Sequence, residues 1–387
     1  MDRPVVSERR LRSWILLGAL TAGNPTRRQR ILALFGSLEG AVDAMDGGKG
    51  WSALLRPSGH KDIFRPGPAG DQSEVQPFVE DPETWAEKEI ALAERWGAAI
   101  LTPEDPTYPE RLRGIPDPAP VIYLKGDPGA VAGPLVAVVG ARRATPYGLG
   151  VARRIGRELA AAGIGVASGG ARGIDSEAHR GALESGGPTV AVMGCGLDVP
   201  YPEENEALFG RIAASGAVIS EFPLGTTPQP YHFPIRNRLI AGMSLGVVVV
   251  EGKEGSGSLI TAELALEGGR EVLAVPGAVT SPLSEGPNRL IREGAALVRN
   301  AADILEELPG WALGGRRSVP APAEEAPPVG PEGRAVLEAL ETDRGRTADE
   351  LAAETGMAPG DLLGALMELE LAGKVTPLPG GLFVRRV

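Results

Sequence analysis

Leu135-Val-Ala-Val-Val-Gly-Ala-Arg-Arg-Ala-Thr-Pro-Tyr147 reads as a strand apolar on both faces, a glycine-arginine bend and the opening of a helix. Strands of that kind belong to a parallel sheet covered on each side. The pattern recurs through residues 97–308. Gly165–Ser168, Thr189–Gly194, Ala217–Glu221, Val247–Glu251 and Glu271–Pro276 alternate with amphipathic stretches at Tyr147–Ala162, Ser176–Glu184, Glu203–Ala214 and Ser258–Glu267. This alternation predicts a doubly wound α/β sheet, where ligands bind beyond the carboxyl ends of the strands.

Either side of this block the period changes. Residues 1–96 read as a small helical domain of SAM or helix-hairpin-helix character, with helices at Leu11–Leu20, Arg27–Phe35, Leu38–Met45 and Asp81–Trp96 and a long loop over Gly47–Gln76. Residues 309–331 are rich in proline and glutamate and read as a linker. Residues 332–387 predict a winged-helix-like domain: a helix at Glu332–Leu340, a capped helix at Thr347–Thr355, a turn at Gly356–Pro359, a second helix at Asp361–Ala372 and a hairpin at Val375–Val384.

Composition narrows the function. A chain of 387 residues suits two or three domains, and 43% hydrophobic residues exclude global disorder. The single Cys195 rules out an internal disulfide framework, and three histidines argue against a Cys/His zinc site; composition alone leaves a carboxylate-held metal open, but no metal ligand is singled out and no cofactor is expected. A net charge of -11 argues against indiscriminate coating of nucleic acid yet allows a local basic groove. Aliphatic runs such as Val247–Val250 fall far short of the roughly 20 residues that span a bilayer. Arg9, Arg10 and Arg12 before Trp14–Leu20 imitate a signal peptide, but the apolar run is short and no cleavage site follows, so a cytoplasmic location is expected.

The strand ends carry the candidate chemistry. At the first, Gly140 lets backbone N–H groups approach an anion beside Arg142 and Arg143. At the second, Ser168, Gly169, Gly170, Arg172 and Gly173 form a possible phosphate nest ahead of Asp175, read as a helix N-cap, and His179, read as a buried structural histidine. Arg236, Asn237 and Arg238 open a third helix, and Ser256, Gly257 and Ser258 a fourth. The last is no P-loop, because GK[ST] is missing, and Gly194-Cys-Gly196 does not continue into a dinucleotide fingerprint. Between Leu135 and Arg180 seven arginines stand against three acidic residues, although Arg153, Arg154 and Arg157 lie mid-helix and read as a solvated face. Asp198, Glu203 and Glu204 could serve acid-base work, but Glu203 and Glu204 sit where a helix first turn prefers acids, and Cys195 reads as a small buried residue. No catalytic residue is singled out.

In order, these segments resemble the DNA-processing protein A family (DprA/Smf). The likeness rests on Val138–Gly148, Ser168–Asp175 with Ala178-His179, Gly194–Asp198 with Tyr201-Pro202 and Asn205, Ser220–Pro223, Phe233–Ile240, Ser256–Ala262 and Ala274–Gly277. The sequence differs at Ala141, where the family carries serine. The resemblance implies an extended Rossmann-like domain that binds single-stranded DNA, protects incoming strands and loads the RecA recombinase during natural transformation. It also implies a homodimer, with single-stranded DNA-binding protein as a further partner. By position Arg142 and Arg172 match basic DNA-contacting residues of the family. Tyr147, Phe222 and Phe233 are the aromatics nearest the proposed edge.

Two other readings compete. A phosphoribohydrolase-like enzyme on a similar fold would use Glu221 or Glu263 for acid-base chemistry, but Glu254-Gly-Ser-Gly257 stands where a Pro-Gly-Gly loop belongs. A transcription regulator would read DNA with Asp361–Ala372, which has acidic residues at 361, 368 and 370 and no base before Lys374. Protein contact or a degenerate fold is expected there instead.

Overall fold

The computed structural model describes residues 6–46, 81–310, 330–342 and 344–385. The loop expected over Gly47–Gln76 and most of the linker expected at 309–331 lie outside the described residues.

Nine strands form the central sheet: β1 (Ala99–Leu101), β2 (Ile122–Gly126), β3 (Leu135–Val139), β4 (Gly165–Ser168), β5 (Thr189–Val192), β6 (Ala217–Ser220), β7 (Gly246–Val249), β8 (Glu271–Ala274) and β9 (Ala296–Leu297). Their order is β1-β2-β6-β5-β4-β3-β7-β8-β9. Neighbours from β6 to β9 pair in parallel, whereas β2 runs antiparallel to β6 and to β1. The chain steps outward from β3 to β6 and then crosses back to place β7 on the other side of β3. That reversal opens a crevice beyond the carboxyl ends of β3 and β7.

Burial explains the strand composition. Every residue of β3 through β7 is buried, because helices cover both faces. On one face Val136, Val138 and Val248 pack with α5 (Pro146–Ala161) and α6 (Ile174–Glu184) through Val151, Ile155, Leu159, Ala178 and Ala182. On the other, Ala137, Val190 and Val247 pack with α8 (His232–Met243) and α9 (Gly257–Glu267) through Leu239, Ile240, Met243, Leu259 and Ala262. Helix α7 (Glu206–Ser215) covers β5 and β6, and α10 (Glu285–Arg292) and α11 (Ala301–Glu307) complete the layers.

Four N-terminal helices, α1 (Glu8–Thr21), α2 (Pro25–Phe35), α3 (Leu38–Ala44) and α4 (Pro82–Trp96), start at Ser7, Asn24, Ser37 and Asp81, each of which caps its helix by accepting a backbone N–H. Their core of Trp14, Ile15, Leu17, Ile31 and Val42 is continuous with Val121 and Tyr123 beside and within β2. At the other end, α12 (Pro331–Ala339), α13 (Ala348–Thr355) and α14 (Pro359–Leu371) pack around Val336, Leu351, Leu362, Leu366 and Leu369. With β10 (Arg346–Thr347), β11 (Val375–Leu378) and β12 (Leu382–Arg385), ordered β10-β12-β11, they make a winged helix. Thr347 and Glu350 form the capping box that starts α13.

Local departures from expectation have identifiable causes. The stretch at Glu203–Ala214 is a 3-10 turn over Glu203–Asn205 followed by α7, broken where Asn205 turns inward and donates to Gly170 O and Ser176 Oγ, both at 2.9 Å. Asp175 is not the N-cap of α6. Gly173 occupies that position with φ of 76°, a conformation that favours glycine, and the Asp175 carboxylate accepts from the N–H groups of Gly169 and Ala171. His179 is fully buried, its Nδ1 2.7 Å from Thr189 Oγ1, and burial pushes its pKa down to about 3, so it stays neutral.

Candidate nucleic-acid interface

The crevice beyond β3 and β7 is a cleft of about 330 Å³. Gly140 and Arg142 from the β3–α5 bend, Ala171 and Asp175 from the β4–α6 bend, Phe233, Arg236 and Asn237 from α8, and Ser256, Gly257 and Ser258 at the start of α9 line it together. A shallower extension adds Arg172, Tyr201 and Pro202. Three arginines, 142, 172 and 236, therefore converge from separate strand ends onto one face.

Helix geometry sorts α8. Phe233, Arg236, Asn237 and Ile240 lie at i, i+3, i+4 and i+7, one face of a helix, and all four border the cleft. Ile235, Arg238 and Gly242 lie round the back and border a different cavity of about 320 Å³, while Pro234 borders both.

Arg236 occupies an unusual seat. Its side chain is buried and its Nη1 donates to Gly169 O at 2.9 Å and to Val192 O. No carboxylate forms an ion pair with it among the described residues, and its Nε has no hydrogen-bond partner. Burial pulls its pKa down to about 10, with Asp175 opposing. Asp175 is itself buried, and burial raises its carboxyl despite Arg236 and the Gly169 and Ala171 N–H groups. The glycine at 169 makes the seat possible, since a Cβ there would stand 2.6 Å from Arg236 Nη2.

The other arginines are exposed. Arg142 lies over the Phe233 ring, 5.3 Å from guanidinium carbon to centroid, and Arg236 approaches the same ring at 5.8 Å. Arg172 is paired with Glu204, both well exposed, its Nη2 donating to Oε2 at 2.8 Å. That bond raises Arg172 and lowers Glu204. Arg143 is exposed but borders neither part of the cleft.

Several expected ligand groups have other duties. Arg238 faces away from the cleft, where its Nη1 donates to Glu221 Oε1 at 2.6 Å and its Nε lies 3.0 Å from Asp117 Oδ2. Arg28 of α2, fully buried, closes the cluster on Asp117 and on Glu221 Oε2 at 3.1 Å. Two arginines and two carboxylates thus neutralise one another, which removes Arg238 from the set offered to a ligand. Ser168 is also committed, its buried hydroxyl donating to Val138 O at 2.6 Å. Gly140 borders the cleft and is also needed for packing, since a Cβ would meet Ile174 Cγ1 at 2.6 Å and Glu251 O at 2.8 Å. Asn237 lines the cleft but spends its Nδ2 on Gly257 O at 3.1 Å, tying α8 to the start of α9. There Ser256 Oγ and Ser258 Oγ lie 2.8 Å apart beside Gly257.

The acids proposed for an enzymatic reading border neither part of the cleft. Glu221 is buried. Burial pushes its carboxyl up, but Arg238 and Arg28 outweigh that and hold it below the ordinary value. Glu263 is exposed on α9.

Among the aromatics, Phe222 is core and Tyr147 is half-buried with its hydroxyl donating to Pro276 O at 3.0 Å, whereas Phe233 is half-buried in the cleft. Tyr201, not recognised as an aromatic of the site, pairs with Phe233 at 5.4 Å between centroids and is exposed, as is Tyr231. Its neighbour Pro202 and the strand end upstream were the available signals. The mid-helix arginines face neighbours as a solvated surface would: Arg153 pairs with Glu184 and Glu177, and Arg154 with Glu158. Among the described residues no helix is long and apolar enough to cross a membrane.

Residues 99–309 match the family model for DNA recombination-mediator protein A, and residues 320–381 match the DprA winged helix domain. Protein Smf of Escherichia coli is 37% identical over 315 residues, covering 80% of this chain and 83% of that protein. The X-ray structure of DNA processing protein A from Streptococcus pneumoniae aligns with a TM-score of 0.60 at 33% identity, over 76% of this chain and 97% of that one. DNA processing protein A from Helicobacter pylori, solved for its single-stranded DNA binding mode, aligns with a TM-score of 0.50 at 30% identity, over 55% of this chain and 97% of that one.

Proposed function

Because the chain belongs to the DNA recombination-mediator protein A family, we propose that its cleft holds the backbone of single-stranded DNA and that the protein acts as a recombination mediator rather than an enzyme. In this reading Arg142, Arg172 and Arg236 take phosphates, while Phe233 and Tyr201 offer ring faces to bases. The observation that carries it is Arg236. Among the described residues its buried guanidinium donates to two carbonyls and forms no direct ion pair, with Asp175 acting on it only through its field, and an incoming phosphate would supply the direct counter-charge. The family gives this role its setting: protection of incoming strands and delivery to a RecA-type recombinase in the cytoplasm during natural transformation, by a homodimer that also meets single-stranded DNA-binding protein.

The deciding experiment is a titration of labelled single-stranded and double-stranded oligonucleotides across salt concentrations, with wild type and the Arg142→Ala, Arg172→Ala double variant. Both residues are exposed, so the thermal midpoint should hold while single-strand binding at moderate salt is lost. Undiminished binding would overturn the assignment. The chain lacking residues 309–387 should still bind single strands, since none of the cleft residues lies there.

A further inference from the structure

In a winged helix that reads DNA, the second helix of the helix-turn-helix enters the major groove, and its outer face must tolerate phosphates. Helix α14 occupies that position. It buries Leu362, Ala365, Leu366 and Leu369 in the core of its unit. The opposite face contains no lysine or arginine at all.

What stands on that outer face is apolar at its centre and acidic at its edges. Leu363 and Met367, one helical turn apart, are 55% and 66% exposed, an apolar pair left uncovered among the described residues. Gly360 and Gly364 share the centre, and a Cβ at either would meet nothing within 4 Å, so another backbone can approach closely. Projected at about 100° per residue, Glu370 falls on one side of this stripe and Asp361 and Glu368 on the other. All three are exposed. The unit as a whole is acidic, with ten Asp and Glu against six Lys and Arg between Pro331 and Val387.

We propose that this face docks a helix of a partner protein whose apolar stripe is flanked by lysines and arginines. Charge complementarity selects that occupant. Carboxylates on both edges repel a nucleic-acid backbone, and they equally repel a second copy of the same face. A basic helix aligns its cations with both edges while its apolar stripe covers Leu363 and Met367. Leu363 and Met367 at i and i+4, beside Gly360 and Gly364 with the same spacing, suit helix-against-helix packing.

The test uses the full chain and a labelled 18-residue helical peptide built from leucine on one face and lysine on the other, with a leucine-glutamate peptide as control. Fluorescence anisotropy should show the lysine peptide bound, and Leu363→Gln with Met367→Gln should weaken it by about tenfold or more. Asp361→Lys, Glu368→Lys and Glu370→Lys together should reverse the preference in favour of the glutamate peptide, which general stickiness would not produce. Circular dichroism and the melting midpoint check that these exposed substitutions leave the fold intact. Unchanged peptide affinity in the glutamine variant overturns the proposal. So does duplex DNA binding, or self-association in sedimentation, that the same substitutions abolish.

Discussion

Arg236 and Arg238 stand two residues apart on one helix and are chemically identical, yet they do opposite things. Arg238 points into two carboxylates and belongs to a neutral buried cluster. Arg236 points into a cleft, where it donates to two carbonyl oxygens and feels Asp175 without forming a direct ion pair with it. A buried charge with its counter-charge present organises the protein. In the function proposed above, a buried charge without a direct ion pair is the one open to an anion from outside. The difference lies in the partners rather than in the residue.

The sharpest way to break this comparison is to replace each arginine with methionine, which keeps the volume and removes the charge. Arg238→Met leaves Glu221 buried with only Arg28, and a loss of about 3–5 kcal/mol is expected from removing one member of a buried ion cluster. Urea unfolding reads it directly. Arg236→Met should cost less, about 1–3 kcal/mol, because it strands the Gly169 and Val192 carbonyls and takes a nearby cation from buried Asp175 but breaks no direct ion pair. Its single-strand affinity should also fall by about 2 kcal/mol, roughly thirtyfold, in an anisotropy titration. If both variants lost stability equally, the distinction between the two arginines would fail.

Acid sharpens the same contrast. Glu221 is held below its ordinary value in the folded state, so its contribution is present above the unfolded carboxyl range near 4.5 and lost as pH falls through the lower folded value. Wild type should therefore lose stability in that acid window, and Arg238→Met should lose less there because part of the depression is already gone. Acid unfolding followed by circular dichroism compares the two. On the cleft side, salt is the probe. Three arginines on single-stranded phosphate should give a slope of log affinity against log salt near -2, shallower by about 0.7 for each arginine removed. The smallest effect should come from Glu204→Gln. It frees exposed Arg172 and should raise affinity about two- to threefold at low salt only.

Much of the sheet was legible, because strands buried on both faces need unbroken apolar runs and these stand out. Strand β2 did not, since Pro116, Pro118 and Pro120 make its approach read as loop. Strand β9 has two residues, too few for any period. The convergence of strand ends was readable from the doubly wound pattern, but the partner of each side chain was not. A 3.6-residue period puts residues two apart about 200° round a helix, so the split between Arg236 and Arg238 was available from the helix alone. What no local pattern could supply was Glu221 and Arg28, brought to Arg238 from 17 and 210 positions away in sequence. Two glycines carry a second duty. Gly140 and Gly169 read as approaches for an anion, and in the fold they border the cleft and also give clearance to Ile174 and to the Arg236 side chain.

The shared core of the N-terminal helices and β2 has a practical outcome for anyone wishing to shorten the polypeptide. A fragment starting near residue 97 would bare Val121 and Tyr123, strip Arg28 from Asp117 and Glu221, and take Glu89 from the Leu224 N–H it accepts at 2.8 Å. Such a truncation is expected to accumulate in inclusion bodies while the fragment ending at 308 stays in the supernatant. The leading helices are a wall of the house and not its porch.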